Sequence, residues 1–486
     1  MKLAELLQSL PELRLQGSAE VAFERLAYRS DQVQQSALYA LFEEFLAYNQ
    51  WGHSRDQLPA CDPQPAAILT QHRIESFAGP QLLSDDVRRD LGRIARLLQG
   101  APDLRLPVVG VTGTNGKTTT TRLLGFLFSR ILGAGGSLGT LGMDFNGRAI
   151  GSGSYTTPLA PDLYELVRQF VSLKAKAVAM EVSSHAMALQ RVSGLEFAGA
   201  TTARITRDHL DFHGSLDAYI EAKRGLFADL NGRAFAALNR DCPVAWSFAD
   251  SVSGRVISYS CHGQRSADLV ANRIAVSPVE TRFDLLWQGK QFPVRARLIG
   301  RFQVENILAA LSVIAGLELP MEAAIDALED FEIVPGRMES VALPNGATAV
   351  IDYAHNPDGL HNLLENCRAL NPERIVLVFG CGGDRDRGKR PLMGELAYRG
   401  ADRIWLTSDN PRTEAPERIF ADILEGVPVR DRLIVEPDRR QAILHAYAET
   451  NSGDLLVIAG KGHEDYQLIG TTKYPFSDKA VVETLT

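Results

Sequence analysis

The sequence predicts an α/β protein of about three domains, and three observations support this expectation. The chain has 486 residues, too many for one ordinary core when a domain averages roughly 150 residues. A strand-like run, a glycine-rich turn and a helix-like stretch follow one another near residue 110. Beyond them, buried-strand candidates alternate with helical patterns, which is typical of parallel sheets. We therefore expect a central phosphate-loop domain with a largely parallel sheet, followed by a Rossmann-like domain.

Changes in pattern divide the chain into the expected domains 1–104, 105–335 and 336–486. The first begins helix-rich and becomes turn-rich, and CDPQPAAILTQ resembles a loop entering a strand. The last contains four buried-strand candidates, each followed by a polar turn: TAVIDYAH, RIVLVFGCGG, DRIWLTSD and DLLVIAGKG. Ligands of open α/β sheets bind at the carboxyl ends of strands. The polar residues in these turns are therefore candidate site residues.

Composition excludes several classes of function. With 45% hydrophobic and 23% charged residues, and no uninterrupted apolar run of about 18 residues, the chain is expected to lack a membrane span. Glu5 and Glu12 interrupt the apolar character of the N-terminal segment, which argues against a signal peptide and favours the cytoplasm. A net charge of −8 without a long basic block argues against a nucleic-acid partner. Five scattered cysteines without a CxxC pair fit a reducing compartment and argue against zinc or thiol chemistry.

The stretch GTNGKTTT resembles a phosphate loop. Val111 stands where the strict pattern has glycine, so this is a short variant. Pro107 opens the strand before it, and apolar residues repeat at helical spacing after it as far as Gly133. The other interpretation is a glycine-rich turn that only caps a helix. The nucleotide-binding residues expected here are Gly113, Thr114, Asn115, Gly116, Lys117, Thr118 and Thr119.

A divalent cation beside the phosphates would need further oxygen or nitrogen ligands. Thr118 offers the loop hydroxyl, Glu181 in MEVSSH follows a strand-like run, and His209 lies in RDHLDFH. Taken alone, Glu181 fits a helix-capping arrangement and His209 a satisfied structural histidine. Together with the phosphate loop, the three predict a magnesium site.

A series of segments, in this order, resembles the Mur ligase family. The resemblance covers roughly residues 105 to 486 and is closest to members that add the third residue of the peptidoglycan stem peptide. The segments that carry it are GTNGKTTT, YTTP, MEVSSHA, RDHLDFHG, YIEAKRGLF, GRFQVENILAAL, VPGRME, DYAHNPDGL, FGCGGDRDRGKRP, SDNPRTEAP and AGKGHEDYQ.

The resemblance implies an ATP- and Mg²⁺-dependent amide ligase of cytoplasmic peptidoglycan synthesis, with an N-terminal domain that binds the UDP-sugar. ATP would phosphorylate the D-Glu γ-carboxylate of UDP-MurNAc-L-Ala-D-Glu, and the amine of meso-diaminopimelate would attack the acyl phosphate. Phosphoryl transfer depends mainly on positioning and charge neutralisation. A monomer is expected.

The resemblance also implies roles for individual residues. The catalytic set is Lys117, Glu181, His209 and Lys223, and the family carbamylates the lysine that Lys223 matches. Contacts to the UDP-MurNAc-dipeptide are implied for Ser30, Thr156, Thr157, Ser183, Arg191 and Lys223. Further nucleotide contacts are implied for Asn306, Arg337, Asp352 and His355. From its own residues, DYAHNP could equally be a structural turn at a strand end.

The loop TSDNPRTEAP contains an arginine that a simple turn does not need. The segment DNPR resembles the loop sequence of family members that accept meso-diaminopimelate. The guanidinium of Arg412 suits bidentate binding of the distal carboxylate, and lysine would leave that group unpaired. A surface salt bridge is the alternative role for Arg412. The expected diaminopimelate residues are Arg385, Asp409, Asn410, Pro411, Arg412, Gly460 and Glu464.

The chain departs from the family pattern at several positions. Arg29 and Asp31 exchange the charges that usually flank the serine turn matched by Ser30, and SALYAL replaces a later stretch near the uridine pocket. Arg204 and Gln303 stand where asparagine is usual. The uridine contacts are therefore open, and no binding role is assigned to Arg204 or Gln303.

Three other functions fit parts of the pattern. A lysine-adding synthetase of the same family would carry a different loop at DNPR. A folylpolyglutamate synthase would share the phosphate loop but lack the diamino-acid residues. A nucleotide-dependent binding protein without ligase activity would fit the altered N-terminal domain, although the intact set of Lys117, Glu181, His209 and Lys223 argues against it.

Overall fold

A computed structural model describes residues 1–42, 58, 61–151, 155–277 and 279–486. The chain divides into two compact units, and each is described by itself. The first comprises Met1–Gly110, Leu124–Ala200 and Asp229–Ala234, and the second comprises Val111–Leu123, Thr201–Ala228 and Phe235–Thr486. None of the described helices is both long enough and apolar enough to cross a membrane.

The first unit opens with a small sheet. Its elements are α1 (Leu3–Ser9), β1 (Arg14–Gln16), β2 (Arg25–Ala27), β3 (Ala37–Ala40), β4 (Ala67–Thr70), β5 (Gln81–Leu83) and α2 (Val87–Leu98). The five strands lie in the order β1-β5-β4-β3-β2, parallel except at β1. The expected strand after CDPQPA is β4, which is fully buried. Short 3₁₀ helices lie at Ser30–Gln32 and Pro102–Leu104.

The expected strand, loop and helix of the phosphate loop are confirmed. The next elements are β6 (Val108–Thr112), α3 (Lys117–Leu132), β7 (Gly135–Gly139), β8 (Gly142–Phe145), β9 (Arg148–Gly151), α4 (Ala160–Ser172), β10 (Ala177–Glu181), α5 (Ser184–Ala188) and β11 (Gly199–Thr202). Helix α3 ends at Leu132 and is followed by Gly133, whose φ of +78° is in the region that favours glycine. In the first unit β10 lies parallel to β7, while β8 and β9 continue antiparallel.

The second unit continues with a sheet of mixed direction. Its elements are α6 (Leu210–His213), α7 (Leu216–Ala228), β12 (Phe235–Asn239), α8 (Pro243–Trp246), β13 (Arg255–Ser260), β14 (Leu269–Val276), β15 (Thr281–Trp287), β16 (Lys290–Ala296), α9 (Arg301–Gly316) and α10 (Met321–Ala327). Short 3₁₀ helices lie at Ser247–Ser251 and Leu328–Asp330.

The largely parallel sheet expected up to residue 330 is only partly correct. Strands β12, β13 and β14 run parallel, but β14, β15 and β16 form an antiparallel meander. The cause is local, because β15 and β16 are joined by Gln288 and Gly289, both with positive φ. Two such residues form a tight hairpin turn, which can join only antiparallel neighbours.

The C-terminal part of the second unit has the expected Rossmann-like arrangement. Its elements are β17 (Glu339–Ala342), β18 (Thr348–Asp352), α11 (Pro357–Ala369), β19 (Ile375–Phe379), α12 (Lys389–Gly400), β20 (Arg403–Leu406), α13 (Pro416–Leu424), β21 (Leu433–Val435), α14 (Arg439–Ala448), β22 (Leu455–Ala459), β23 (Tyr466–Ile469), β24 (Thr472–Pro475) and α15 (Asp478–Glu483). The six-stranded order is β17-β18-β22-β19-β20-β21, parallel except at β17.

All four buried strands expected in this part are confirmed as β18, β19, β20 and β22. Aliphatic side chains from both faces of the sheet pack against the flanking helices in two clusters. Parallel neighbours end at the same edge of a sheet. The segments after β18, β19, β20 and β22 are therefore collected at one edge, and they contain every diaminopimelate residue expected from the sequence.

Candidate active site

Four of the expected substrate residues lie together in the first unit. The hydroxyl of Thr157 donates to the Glu181 carbonyl at 2.9 Å and accepts from the Ser183 backbone N–H at 3.1 Å. Arg191 donates to the Thr157 carbonyl at 3.0 Å, and burial lowers the pKa of its guanidinium. The Thr156 and Thr140 hydroxyls are 3.0 Å apart. Residues that are distant in sequence thus form one polar cluster at the carboxyl end of β10.

Glu181 anchors this cluster. Its side chain is buried, and one carboxylate oxygen accepts from the Thr140 backbone N–H at 2.9 Å while the other accepts from the Thr140 hydroxyl at 3.2 Å. Ser183 caps α5 by accepting from the Ala186 N–H at 3.1 Å. The helix-capping alternative therefore describes Ser183, whereas Glu181 holds a neighbouring turn.

The altered serine turn is half-buried in the first unit. Arg29 and Asp31, which flank Ser30, form a bidentate ion pair with N···O distances of 2.9 and 2.5 Å. The exchanged charges therefore pair with each other. A separate cavity of about 260 Å³ in this unit does not include Ser30. Its lining residues are Leu41, Phe42, Gln71, Asp85, Asp86, Val87, Arg88, Ala188 and Gln190.

The phosphate loop lies in the second unit. Gly113 and Gly116 have φ values of +141° and +85°, so the turn depends on glycine at both positions. The Lys117 ammonium donates to the carbonyls of Gly113 and Thr114 at 3.0 and 2.8 Å. The loop thus has the conformation and the cation that phosphate binding requires.

Lys223 reaches the same loop from α7. Its ammonium donates to the Gly113 carbonyl at 2.8 Å and lies 4.8 Å from the centre of the Tyr219 ring. The side chain is 1% exposed. Burial, and then the nearby Lys117, lower the pKa of Lys223 well below its ordinary value. A solvated helix lysine, the alternative for this residue, is therefore wrong.

Helix α9 supports the loop from its other side. A Cβ at Gly116 would overlap Oδ1 of Asn306, which also accepts from the Thr120 hydroxyl at 3.4 Å. The Asn306 amide donates to Gln303 at 2.8 Å. Gln303, one of the departures from the family pattern, thus fixes the orientation of Asn306.

Residues beyond position 336 also contact the loop within this unit. Arg337 donates to the Thr118 hydroxyl at 3.2 Å. The Asn115 amide donates to Asp358 at 2.8 Å and to Asn356 at 3.3 Å. Sequence reasoning missed Asn356 and Asp358, although the Asn-Pro start of α11 is a visible helix-cap signal.

His209 and His355 converge on a buried carboxylate. Their Nε2 atoms lie 3.7 and 3.9 Å from Oδ2 of Asp208, which also accepts from Asn356 at 2.9 Å. Although burial acts to raise it, the two histidines and Lys389 lower the pKa of Asp208. Burial and Lys389 lower the pKa of His355 to about 4. Asp208 thus holds His209 close to the phosphate-loop contacts.

Asp352 has a structural arrangement at the end of β18. Its two carboxylate oxygens accept from the backbone N–H groups of Met338 and Ala354, each at 2.8 Å. Burial raises its pKa. The Nδ1 atom of His355 contacts the Tyr353 carbonyl at 2.8 Å. These contacts connect the turn after β18 to the segment that carries Arg337.

The residues expected to bind diaminopimelate form a cup at the edge of the C-terminal sheet. We define this cup by the side chains of Arg385, Asp409, Asn410, Arg412, Lys461 and Glu464. The Asn410 amide donates to Glu464 Oε2 at 2.9 Å, and its oxygen accepts from Lys461 at 3.1 Å and from the Leu468 N–H at 2.8 Å. Lys461 also donates to Glu464 Oε2, at 2.7 Å. Sequence reasoning missed Lys461, although it stands between two expected residues, Gly460 and Glu464.

The side chains of Arg412 and Arg385 both lie beside Gly382. A Cβ there would be 2.8 Å from Arg412 Nη1 and 3.8 Å from Arg385 Cγ. Arg412 donates to the carbonyl oxygens of Gly383 and Asn410 through Nη1, and Arg385 donates to the Asp384 carbonyl through Nη1. Desolvation, and then the neighbouring Arg412, lower the pKa of Arg385. Both arginines keep donors that no described residue accepts, so the surface salt bridge considered for Arg412 is wrong.

The remaining cup residues are tightly packed. A Cβ at Gly460, whose φ is +120°, would lie 2.6 Å from Asp409 Oδ2. That oxygen is buried and has no described partner. The Pro411 carbonyl would overlap a Cβ at Gly383. Glycine at positions 383 and 460 therefore allows the loop after β20 to approach its neighbours.

Among the described residues, one further group has metal-type side chains. Ligand atoms of Asp241, Cys261 and His262 lie within 4.8 Å of one another. The Asp241 carboxylate, however, already accepts from the Ser260 hydroxyl at 2.7 Å and from the Cys261 and His262 N–H groups at 2.6 and 3.2 Å. Burial raises the pKa of Cys261. These contacts are those of an aspartate that closes a turn.

Comparison with protein-family models matches two parts of the chain. Residues 111–314 match the Mur ligase middle domain, and residues 336–462 match the Mur ligase glutamate ligase domain. A relative from Geobacillus kaustophilus is 36% identical over 99% of this chain and 98% of its own length. The chain belongs to the Mur ligase family. That relative is named UDP-N-acetylmuramoyl-L-alanyl-D-glutamate–2,6-diaminopimelate ligase.

A second relative and a solved structure bear the same ligase name, and a further solved structure shares the fold. A relative of the same name from Thermosynechococcus vestitus is 45% identical over 81% of this chain and 79% of its own length. A solved structure titled with that ligase name has a TM-score of 0.66 and 32% identity over 95% of this chain and 94% of its own. A folylpolyglutamate synthase from Mycobacterium tuberculosis has a TM-score of 0.64 over 76% of this chain and 92% of its own, at 19% identity. The last likeness is one of fold alone.

Proposed function

We propose that this Mur ligase uses ATP to join meso-diaminopimelate to the D-Glu γ-carboxylate of UDP-MurNAc-L-Ala-D-Glu. The observation that carries the proposal is the pair of arginines beside Gly382, both with donors open to a carboxylate. The distal end of diaminopimelate has a carboxylate that lysine lacks. Relatives of 36 to 45% identity bear the name of this ligase.

The reaction has two steps that balance without any further reactant. The γ-carboxylate attacks the terminal phosphorus of ATP and displaces ADP, which gives an acyl phosphate. A neutral amine of diaminopimelate then attacks the acyl carbon, loses a proton and expels inorganic phosphate, leaving an amide. Lys117 and Arg337 are the cations of the second unit placed to neutralise charge on the transferring group.

The phosphate loop fits a nucleotide. Nε of Arg337 is buried without a described partner, and a phosphate oxygen would supply the acceptor. We propose Gly113 to Thr119, Asn306, Arg337, Asp352 and His355 as the nucleotide side, with Asp352 and His355 acting through their turn. Loss of ATP-dependent phosphate release on Lys117→Ala checks this assignment.

Thr118 and Glu181 offer the oxygen donors that a hard cation prefers, and His209 is included because the family resemblance implies it. We propose these residues as magnesium ligands, with the metal neutralising phosphate charge. Burial, and then the nearby Lys117, lower the pKa of Lys223 and so favour the neutral amine, which is the form that reacts with CO₂. We propose that this amine adds CO₂ to become a carbamate, releasing one proton. A signal from ¹³C-bicarbonate that disappears in Lys223→Ala tests the modification.

The remaining assignments concern the wider molecule. We propose three functional domains at 1–104, 105–335 and 336–486, with Ser30, Thr156, Thr157, Ser183 and Arg191 contacting the UDP-MurNAc-dipeptide. We also propose that the protein is a cytoplasmic monomer. Sedimentation of the purified protein measures the mass of the particle.

The deciding experiment measures phosphate release with ATP, Mg²⁺ and UDP-MurNAc-L-Ala-D-Glu, comparing meso-diaminopimelate with L-lysine. Turnover with diaminopimelate should exceed that with lysine and should fall by about 100-fold or more in Arg412→Ala, since the carboxylate loses its charged partner. Equal turnover with lysine would favour the lysine-adding synthetase. ATP consumption that ignores both amino acids would favour a binding protein without ligase activity.

A further inference from the structure

The segment between β11 and α6 is tied to the phosphate loop through one residue of the loop. The Thr114 backbone N–H donates to the Arg204 carbonyl at 3.0 Å. The Thr114 hydroxyl donates to the Thr206 carbonyl at 3.1 Å and accepts from the Thr206 N–H at 2.9 Å. The segment that contains Arg204 and Thr206 therefore helps to position Thr114, and Thr114 supplies one of the two carbonyls that accept from Lys117.

Arg204 is itself fixed by an ion pair to α9. Its guanidinium donates to Oε1 of Glu305 at 3.0 Å, and the Asn239 amide donates to the other carboxylate oxygen at 3.2 Å. The side chain of Glu305 is 12% exposed and that of Arg204 is 37% exposed. The pair is thus shielded from solvent on the glutamate side, where an unpaired charge would be costly.

The pKa shifts of the two partners favour the charged form of Arg204 but the neutral form of Glu305, and the pair is identified by its geometry. Burial raises the pKa of Glu305, an effect that Arg204 opposes. Desolvation acts to lower the pKa of Arg204, but Glu305, Asp358 and Cys242 together outweigh it and the pKa is raised.

The neighbour of Glu305 on α9 is Asn306, which packs directly against Gly116. Helix α9 is therefore linked to the loop in two ways. Asn306 packs against Gly116, and Glu305 holds Arg204, whose carbonyl accepts from Thr114.

We propose that the Arg204–Glu305 ion pair is a positioning device that holds the phosphate loop in its nucleotide-binding conformation. Arg204 acts through its carbonyl contact to Thr114 and does not touch the nucleotide. The arginine that departs from the usual asparagine is thereby matched by a carboxylate on the neighbouring helix. This inference rests on the proposed nucleotide role of the loop.

Direct binding of ADP, measured by calorimetry on the full-length protein, tests the inference without requiring ligase activity. Arg204→Met should weaken ADP binding by about tenfold, a typical coupling for contacting residues. The KM for diaminopimelate should change less than twofold. The charge-exchanged variant R204E/E305R restores an ion pair and should recover most of the ADP affinity.

A second ion pair in the same unit provides the matched control. Arg374 pairs with Asp454 at 2.6 Å, with side chains 42% and 1% exposed, and it contacts no phosphate-loop residue. Arg374→Met should lower thermal stability but leave ADP binding unchanged.

Arg204→Met that folds and binds ADP normally would overturn the inference, as would an equal loss of ADP binding in Arg374→Met. If Arg204→Met does not fold, Glu305→Gln replaces it in the same comparison, with the same two outcomes. Failure of the unmodified protein to bind ADP would instead count against the proposed function.

Discussion

Lys461 is a buried cation whose polar partners both belong to the proposed amino-acid cup. Its side chain is 0% exposed, and its ammonium donates to Asn410 and Glu464. Glu464 is therefore already paired inside the protein, and Asn410 has one fixed orientation. At the scale of single residues, the buried ammonium of Lys461 preorganises the other polar groups of the cup.

Replacing Lys461 with Met should destabilise the protein, because the carboxylate of Glu464, only 14% exposed, loses its partner. Breaking a buried pair from one side costs about 3 kcal/mol or more. The double variant K461M/E464Q removes both charges and should recover most of that loss. Urea denaturation measures the free energy of unfolding of both variants. A double variant as unstable as the single one would contradict the explanation.

The hairpin β23–β24 is the element that holds the loop after β20, which contains Asp409, Asn410 and Arg412. The hairpin contacts this loop through four backbone or side-chain groups. The Arg412 N–H donates to the Leu468 carbonyl at 3.0 Å, and the Leu468 N–H donates to the Asn410 side chain at 2.8 Å. The Gly470 N–H donates to the Arg412 carbonyl at 2.7 Å, and Gln467 donates to the Asp409 carbonyl at 2.8 Å.

The side chain of Gln467 offers a test that leaves the backbone of the hairpin unchanged. Gln467→Ala should raise the KM for diaminopimelate severalfold, since one net hydrogen bond contributes roughly 1 kcal/mol, while the KM for ATP stays constant. Steady-state kinetics with each substrate varied in turn measure the two constants. Lys473→Ala, on the exposed partner strand, is the control and should change neither.

Prediction from sequence succeeded where the signal was local. The phosphate loop and the four C-terminal strands each combine an apolar run with a polar or glycine-rich turn, so their positions follow from the chain itself. The meander β14–β16 was missed because its decisive signal is only two residues, Gln288 and Gly289. The contact between Asn115 and Asp358 joins residues 243 positions apart, and no short-range pattern encodes such a pair.

At the scale of the whole molecule, the residues that the structure describes include three histidines with lowered pKa values. Burial is the first cause for His213, His355 and His463, and each has a pKa of about 4. In the unfolded chain their ordinary value is 6.5. Between pH 6.5 and 4 the unfolded state therefore binds more protons, and each histidine lowers the free energy of unfolding as the pH falls.

A single replacement isolates this effect from the titration of carboxylates. His355→Gln removes one of the three groups, so the stability of this variant relative to the unmodified protein should improve as the pH falls from 6.5 to 4 and should be constant above pH 7.5. Denaturation at a series of pH values gives the difference in the free energy of unfolding between the variant and the unmodified protein. A difference that does not change with pH would mean that His355 keeps its ordinary pKa in the folded protein.

The contacts between the phosphate loop and residues beyond position 336 have a kinetic consequence. Asn115 is bonded to Asp358 and Asn356, and Thr118 to Arg337, so an arriving nucleotide must exchange existing hydrogen bonds for its own. We expect this exchange of side-chain hydrogen bonds, with the loop backbone already in its binding conformation, to limit association instead of diffusion. In rapid mixing with excess ADP, the observed rate should then level off as the ADP concentration rises, whereas side chains that need no exchange would give a linear rise.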